Sequence, residues 1–219
     1  MNSTQSPQAF ILDLDGTLVD TLGDFVAALD LVLADMGLPS VSRAFIERTI
    51  GQGSEHLIRA VLAQVAAEDG RYAEAWALYQ RHYATLNGTH SNLFPGVIEG
   101  LEKLKQMGKP MACLTNKPGA FACELLAKKG LAGYFVNVFG GDAFERKKPD
   151  PLPLIKTCEA LGTRPEETWM IGDSSNDAKA ARAAGCPVVL MRYGYNHGEP
   201  IGAVPARQHL DRLDQLLLR

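Results

Sequence analysis

AFILDLDGTLVDT, Ala9 to Thr21, opens with an uninterrupted apolar run, Ala9–Leu12, and ends in acids and a glycine. A short apolar run of that kind reads as a strand buried on both faces that delivers polar groups at its carboxyl end. Asp13 closes the strand, Asp15 stands two residues on, and Gly16 lets the chain turn tightly enough to bring both acids to one pocket. Two carboxylates so close repel unless a cation or a proton lies between them, which points to a divalent metal. The same letters also suit a solvated acidic turn.

Similar runs recur outward from that point. Pro110–Leu114 leads into Thr115 and Asn116, Thr168–Ile171 into Gly172 and Asp173, and Pro187–Met191 into polar residues and glycines. Helical spacing is predicted between them at Val97–Met107, Phe121–Lys129, Leu152–Leu161 and Asn176–Ala184. The alternation predicts an α/β fold, a doubly wound, mainly parallel sheet. From Leu22 to Leu93 the alternation stops. Phe25, Leu29, Val32 and Met36 fall at helical spacing, as do Leu57, Val61 and Val65, then Tyr72, Trp76, Tyr79 and Tyr83. No convincing strand is read there, and the aromatic stripe reads as core rather than as a ligand cage. NGTHSN, Asn87–Asn92, with Pro95 and Gly96, makes the return linker. The predicted division is a core of residues 1–21 and 94–219 with an inserted helical domain of residues 22–93.

The 219 residues are 46% hydrophobic and 21% charged with a net charge of −3, which excludes a disordered or fibrous chain and a binder of nucleic acid or membrane surfaces driven by bulk charge. The expected partner is a small molecule, with the chain a monomer or homodimer. MNSTQSPQ has neither the basic nor the apolar region of a signal peptide, and no apolar stretch approaches a membrane span, so a cytoplasmic location is expected. Cys113, Cys123, Cys158 and Cys186 form no C-x-x-C pair and read as reduced, mostly buried residues. His56, His82, His90, His197 and His209 show no metal-ligand spacing, although Arg192 and His197 lie just beyond a predicted strand end, within reach of a site. HLDRLDQLLLR, His209–Arg219, has helical spacing and is expected to pack on the sheet.

Three further clusters fall where the strand ends should converge, the usual ligand crevice of an open α/β sheet. Thr115 and Asn116 offer a hydroxyl and an amide able to donate to phosphate oxygens. Lys148, in KKPDP with Pro149 restricting the backbone beside it, offers an ammonium for an anionic substrate. GDSSND, Gly172–Asp177, sets two more carboxylates in a turn entering a helix, where Asp173 can complete a magnesium site. Ser174, Ser175 or Asn176 can equally serve that turn as helix caps.

In order and spacing, D-x-D-G-T, a strand-end Thr, Lys and G-D-x-x-x-D resemble the haloacid dehalogenase superfamily of phosphatases, over essentially the whole chain. The helical insert stands where that family carries its cap. Within it the chain is most similar to the bacterial phosphoglycolate phosphatases, on GQG at Gly51–Gly53, GGD at Gly140–Asp142, KPDP at Lys148–Pro151, GDS at Gly172–Ser174 and YGYNHGEP at Tyr193–Pro200. The resemblance implies a magnesium-dependent phosphomonoester hydrolase acting on a small phosphorylated metabolite, 2-phosphoglycolate first. By the same likeness Asp13 is the nucleophile that forms an aspartyl-phosphate, and Asp15 is the acid for the leaving group and then the base for water. The likeness also implies magnesium held by the Asp13 carboxylate, the Asp15 main-chain carbonyl and Asp173. Lys148, Thr115 and Asn116 bind the phosphoryl group, and Asp177, Thr17 and Ser174 support them from behind. Gly51, Gln52 and Gly53 are implied to close over the pocket and read the rest of the substrate, where residue spacing alone gives an ordinary turn between helices. The alternatives are a phosphatase of a sugar phosphate, nucleotide or pyrophosphate, a phosphosugar mutase on the same scaffold, a phospho-receiver module, and an inactive binding protein.

Overall fold

A computed structural model describes residues 6–68 and 70–217. The first strand, β1 (Ala9–Leu12), is wholly buried, because an all-parallel sheet has both of its faces covered. After it come β2 (Val19–Asp20), the helices α1 (Leu22–Asp35), α2 (Arg43–Thr49), α3 (Ser54–Gln64) and α4 (Tyr72–Leu86), and β3 (Asn92–Leu93). The chain then alternates through α5 (Val97–Gln106), β4 (Met111–Leu114), α6 (Gly119–Lys128), β5 (Asn137–Phe139), α7 (Leu152–Leu161), β6 (Thr168–Gly172), α8 (Ser175–Ala184), β7 (Val188–Met191) and β8 (Gln208–Leu210).

Six strands form one parallel sheet in the order β5-β4-β1-β6-β7-β8. The chain builds outward from β1 in one direction through β4 and β5, then returns to build outward in the other. The carboxyl end of β1 is therefore the place where the strand order reverses and a crevice opens. The two-residue period of the strands divides their side chains between two layers. Phe10, Leu12, Met111, Cys113, Trp169 and Ile171 pack with α5 and α6, while Ile11, Leu114 and Met170 pack with α7 and α8.

The helices α1 to α4 have an apolar cluster of their own, with Phe25, Leu29, Ile46, Leu57, Val61, Tyr79 and Tyr83 inside it. Tyr83 stacks between Tyr79 and Phe25 at centroid distances of 5.1 and 5.2 Å, so the aromatic stripe is core, as its spacing predicts. The entry and exit strands of this layer pair antiparallel, Val19 with Leu93 and Asp20 with Asn92. Buried Asp24 fixes the return, its carboxylate accepting from the amides of Gly88 (2.8 Å) and His90 (2.6 Å). The sequence reading finds no strand here because two residues are too few to show a period.

Two other expectations are corrected. The terminal run is not a helix from His209: its first residues extend β8 along the sheet edge, and a single short 3-10 turn, Leu213–Gln215, follows. Lys103 on α5 takes the carbonyls of Asp214 and Leu216 (3.2 and 2.8 Å) and holds the tail open, and residues 218–219 lie outside the described residues. β5 was not anticipated, since its three half-buried residues follow a loop without apolar contrast. Cys113, Cys158 and Cys186 are buried and Cys123 is exposed, all as free thiols. Among the described residues no helix is long and apolar enough to cross a membrane.

Candidate active site

Asp13 continues β1 by one hydrogen bond, its amide to the Ile171 carbonyl at 2.9 Å, and so stands at the carboxyl edge of the sheet. Its Oδ1 accepts from the Leu14 amide (2.8 Å) and pairs with the Lys148 ammonium at 3.0 Å. Lys148 also binds Asp177 Oδ1 and the Leu114 carbonyl, both at 2.8 Å. A buried lysine is held here by two carboxylates and the end of the neighbouring strand.

Asp177 is fully enclosed because it closes the first turn of α8. Its Oδ2 accepts from the amides of Asp173 (3.2 Å) and Ser174 (3.1 Å) and from the Ser174 hydroxyl (2.8 Å), with Ser174 as the helix cap. The capping turn and the acidic cluster that the sequence offers as alternatives are thus one structure. Asp173 is held by the Thr17 hydroxyl on Oδ1 and the Tyr195 amide on Oδ2, both at 2.6 Å. Gly16, at φ +85°, supplies the turn that sets Thr17 under Asp173. A Cβ on Gly16 would stand 2.3 Å from Asp173 Oδ2, so only glycine fits.

Asp13, Asp173 and Asp177 offer oxygens that all lie within 4.8 Å of one another. Burial pushes the Asp13 carboxyl up to about 7, with Asp177 adding to the rise and Lys148 opposing it. Asp173 is held well above the carboxylate range by burial, then by Asp177 and Asp13. Burial works against the Lys148 charge, but Asp13 and Asp177 outweigh it and the ammonium is held above its ordinary value. One lysine does not neutralise three buried acids. An all-oxygen donor set short of positive charge is the environment a hard divalent cation suits. Asp177 accepts four hydrogen bonds, which uses the lone pairs of a carboxylate, whereas Asp13 and Asp173 accept two each and keep lone pairs to give a metal.

Across the crevice, Asp15 pairs with Lys117, Nζ lying 3.1 and 3.4 Å from the two carboxylate oxygens. Lys117 is buried, donates to the Tyr83 hydroxyl at 2.5 Å, and lies over the rings of Phe25 (4.8 Å) and Tyr83 (4.7 Å). This cation was missed by sequence reasoning. Its signal is a lysine directly after the strand-end pair Thr115-Asn116, next to a proline, at the edge of a buried strand.

The structure brings Asp13, Asp15, Thr115, Asn116, Gly51 and Gly53 to one pocket with Phe25, Ile50, Ser54, Leu57 and Lys117. It leaves about 20 Å³ for the centre of a water molecule, little more than one water needs. Thr115 is buried and its Oγ1 accepts the Lys117 amide at 3.2 Å. Asn116 differs from expectation. Its amide group brackets Lys148, with Nδ2 donating to the Lys148 carbonyl (2.8 Å) and Oδ1 accepting its amide (3.0 Å), and Nδ2 also reaches the Gly51 carbonyl (2.9 Å). These bonds commit it to holding backbone rather than to an anion. Gln52 is not brought to the pocket: it is exposed and lies with Arg146 and Lys147, between Gly51 and Gly53, both at positive φ. His197 does approach, with Nε2 3.2 Å from Asn176 Nδ2 and its ring against Gly51.

The profile of the haloacid dehalogenase-like hydrolases matches residues 10–191. A phosphoglycolate phosphatase of Thiobacillus denitrificans is 45% identical over 197 residues, 89% of this chain and 87% of that protein. A plasmid-borne phosphoglycolate phosphatase of Cupriavidus necator is 42% identical over 95% of this chain and 90% of its own length. Among solved structures, a predicted phosphoglycolate phosphatase from Haemophilus somnus superposes with a TM-score of 0.91 at 31% identity, covering 96% of each chain.

Proposed function

From its place among the haloacid dehalogenase-like hydrolases, to which this chain belongs, we propose that it is a magnesium-dependent phosphatase that converts 2-phosphoglycolate and water to glycolate and phosphate. The observation that carries the reading is the pair of buried lysines on either side of the D-x-D turn, Lys148 against Asp13 and Lys117 against Asp15. Asp13, Asp173 and the Asp15 main-chain carbonyl would hold magnesium, whose positive charge would let an anionic nucleophile meet an anionic ester.

Asp13 attacks phosphorus: an Asp13 oxygen–phosphorus bond forms, the bond to the leaving oxygen breaks, and Asp15 gives that oxygen its proton. Asp15 then takes a proton from water as the water attacks the aspartyl-phosphate, which frees phosphate and restores Asp13. The Thr115 hydroxyl and the Lys148 ammonium hold phosphoryl oxygens. Asp177, Thr17 and Ser174 keep Lys148 and Asp173 in place, and Asn116 acts through the Lys148 backbone. Residues 22–93 act as a cap over a core of residues 1–21 and 94–219. In so closed a pocket, entry of substrate requires that the two part.

The substrate class follows from Lys117. It adjoins the residue that protonates the leaving oxygen, so the organic part of the ester extends toward it. Its ammonium supplies a buried positive charge there, which suits a carboxylate on a leaving group of few atoms, with Phe25, Ile50 and Leu57 excluding bulk. The test is phosphate release from 2-phosphoglycolate beside 2-hydroxyethyl phosphate, sugar phosphates, nucleotides and pyrophosphate. The reading expects kcat/KM for 2-phosphoglycolate to exceed that for the neutral hydroxyethyl ester by roughly 10²-fold, the scale of a lost charged hydrogen bond in a dry site. Equal values would overturn the carboxylate reading, and a preference for a sugar phosphate or nucleotide would give the site to a larger ester.

A further inference from the structure

The stretch Tyr193–Pro200 carries none of the chemistry above, yet it touches both layers where they meet. Tyr193 donates from its hydroxyl to the Thr17 carbonyl at 2.8 Å. Gly194 lies so close on Asp173 that a Cβ there would fall 2.2 Å from the Asp173 Cβ. Tyr195 spans the seam. Its amide donates to Asp173 Oδ2 at 2.6 Å, while at the other end of the residue its hydroxyl donates to Asp20 Oδ1 and accepts from the Leu22 amide at 3.1 Å. Its ring is buried in the apolar cluster of the helical layer, with Leu22, Phe25 and Leu29, although the residue follows β7 of the sheet.

Asp20 and Leu22 flank the point where the chain leaves β2 for α1, so any swing of the helical layer turns the backbone there. The hydroxyl that grips this point and the amide that holds Asp173 belong to one packed residue. A close-packed side chain passes displacement along rather than absorbing it. We propose that Tyr195 is a positioning residue that couples the set of the helical layer to the Asp173 carboxylate: its hydroxyl reads the Asp20–Leu22 crossing and its amide fixes Asp173 Oδ2. This rests on the reading of Asp173 as part of the active site. A role in packing alone would require the ring and not the hydroxyl.

The test is amide hydrogen exchange, residue by residue, on the full chain and on Tyr195→Phe, Asp20→Ala and Asp20→Asn, with kcat/KM measured on the same samples. Tyr195→Phe removes the nearer of the two acceptors of the Leu22 amide, the other being Asp20 Oδ1 at 3.3 Å, so that amide should exchange faster, by up to roughly tenfold. In Asp20→Ala the amide of Tyr195 itself should exchange roughly tenfold faster, although the change lies on another element. Asp20→Asn, which keeps an acceptor, should restore protection. Both disruptive variants should lose roughly tenfold in kcat/KM, the same bond's worth, and combining them should cost no more than either alone. Unchanged protection of the Tyr195 amide in Asp20→Ala overturns the coupling, as does faster exchange with wild-type kcat/KM. If Asp20→Ala fails to fold, the Asp173-facing amide of the Tyr195→Phe protein decides by the same criterion. Should the wild-type chain hydrolyse no phosphate ester, the functional reading fails, while the exchange data still decide whether the crossing and Asp173 move together.

Discussion

Asp15 and Lys117 divide the site's work between chemistry and selection. Asp15→Asn keeps the shape of the side chain and removes its proton exchange. We expect it to slow both formation and breakdown of the phosphorylated enzyme, by roughly 10²- to 10⁴-fold in steady state, the usual span of general acid–base catalysis. Rapid-quench single turnovers that match the wild type in both steps would refute the role. Lys117→Met keeps the stem that packs on Phe25 and Tyr83 and deletes the charge. Its signature is selective: kcat/KM should fall roughly 10²-fold further for 2-phosphoglycolate than for 2-hydroxyethyl phosphate, because only the former has a carboxylate to lose a partner. An equal loss on both esters would make Lys117 a holder of Asp15 alone. Asp13, Asp15, Thr115 and Asp173 were legible in the sequence because they stand at or just after strand ends, and Lys148 because Pro149 restricts the loop that carries it. Lys117 was not, since its partners Asp15, Tyr83 and Phe25 come from segments far along the chain and no local period marks it.

At the scale of elements, the glycine-dependent turn at Gly16 carries Asp15 and sets Thr17 under Asp173. Gly16→Ala would force a Cβ onto Asp173 and strain a left-handed backbone, at a cost of roughly 1–2 kcal/mol before the clash is counted. The expected result is a folded protein with a melting temperature several degrees lower and activity reduced by more than about 10²-fold, a loss on the scale that a 1 Å misplacement of catalytic groups produces. Circular dichroism together with turnover would check it, and wild-type activity would contradict the geometry. The acidic cluster at the β1 and β6 ends also predicts a pH dependence. A carboxyl whose folded pKa is raised adds stability below its unfolded value of 3.8, and for Asp13 that stability is lost as the pH climbs through about 7. Asp173 is shifted in the same direction. Magnesium favours the ionised acids and must displace their protons, so it should raise the melting temperature more at about pH 8 than at about pH 5. A magnesium shift that is absent at both, or larger at the lower pH, would count against a metal on these residues. The strands were read well from sequence where both faces are buried. β5 and β8 at the sheet edges and the two-residue pair β2–β3 were lost, because half-buried or very short strands show little pattern.

For the whole molecule, the α/β alternation and its interruption by helices could be read because each strand end is followed by polar residues and each helix shows its own spacing. What sequence alone did not convey is how the layers meet. The pocket is closed by Ile50, Gly51, Gly53 and Leu57 from the helical layer against Thr115, Asn116 and Lys117 from the sheet layer, and long-range contacts of that kind have no local signal. The most direct test of the account is phosphate release from 2-phosphoglycolate by the wild-type chain and by Asp13→Asn, each with magnesium and with excess chelator. The account predicts turnover by the wild type with magnesium, its loss with chelator, and a fall of at least about 10³-fold in Asp13→Asn, whose amide cannot serve as the nucleophile. Turnover by Asp13→Asn at the wild-type rate, or turnover unaffected by chelator, would contradict it.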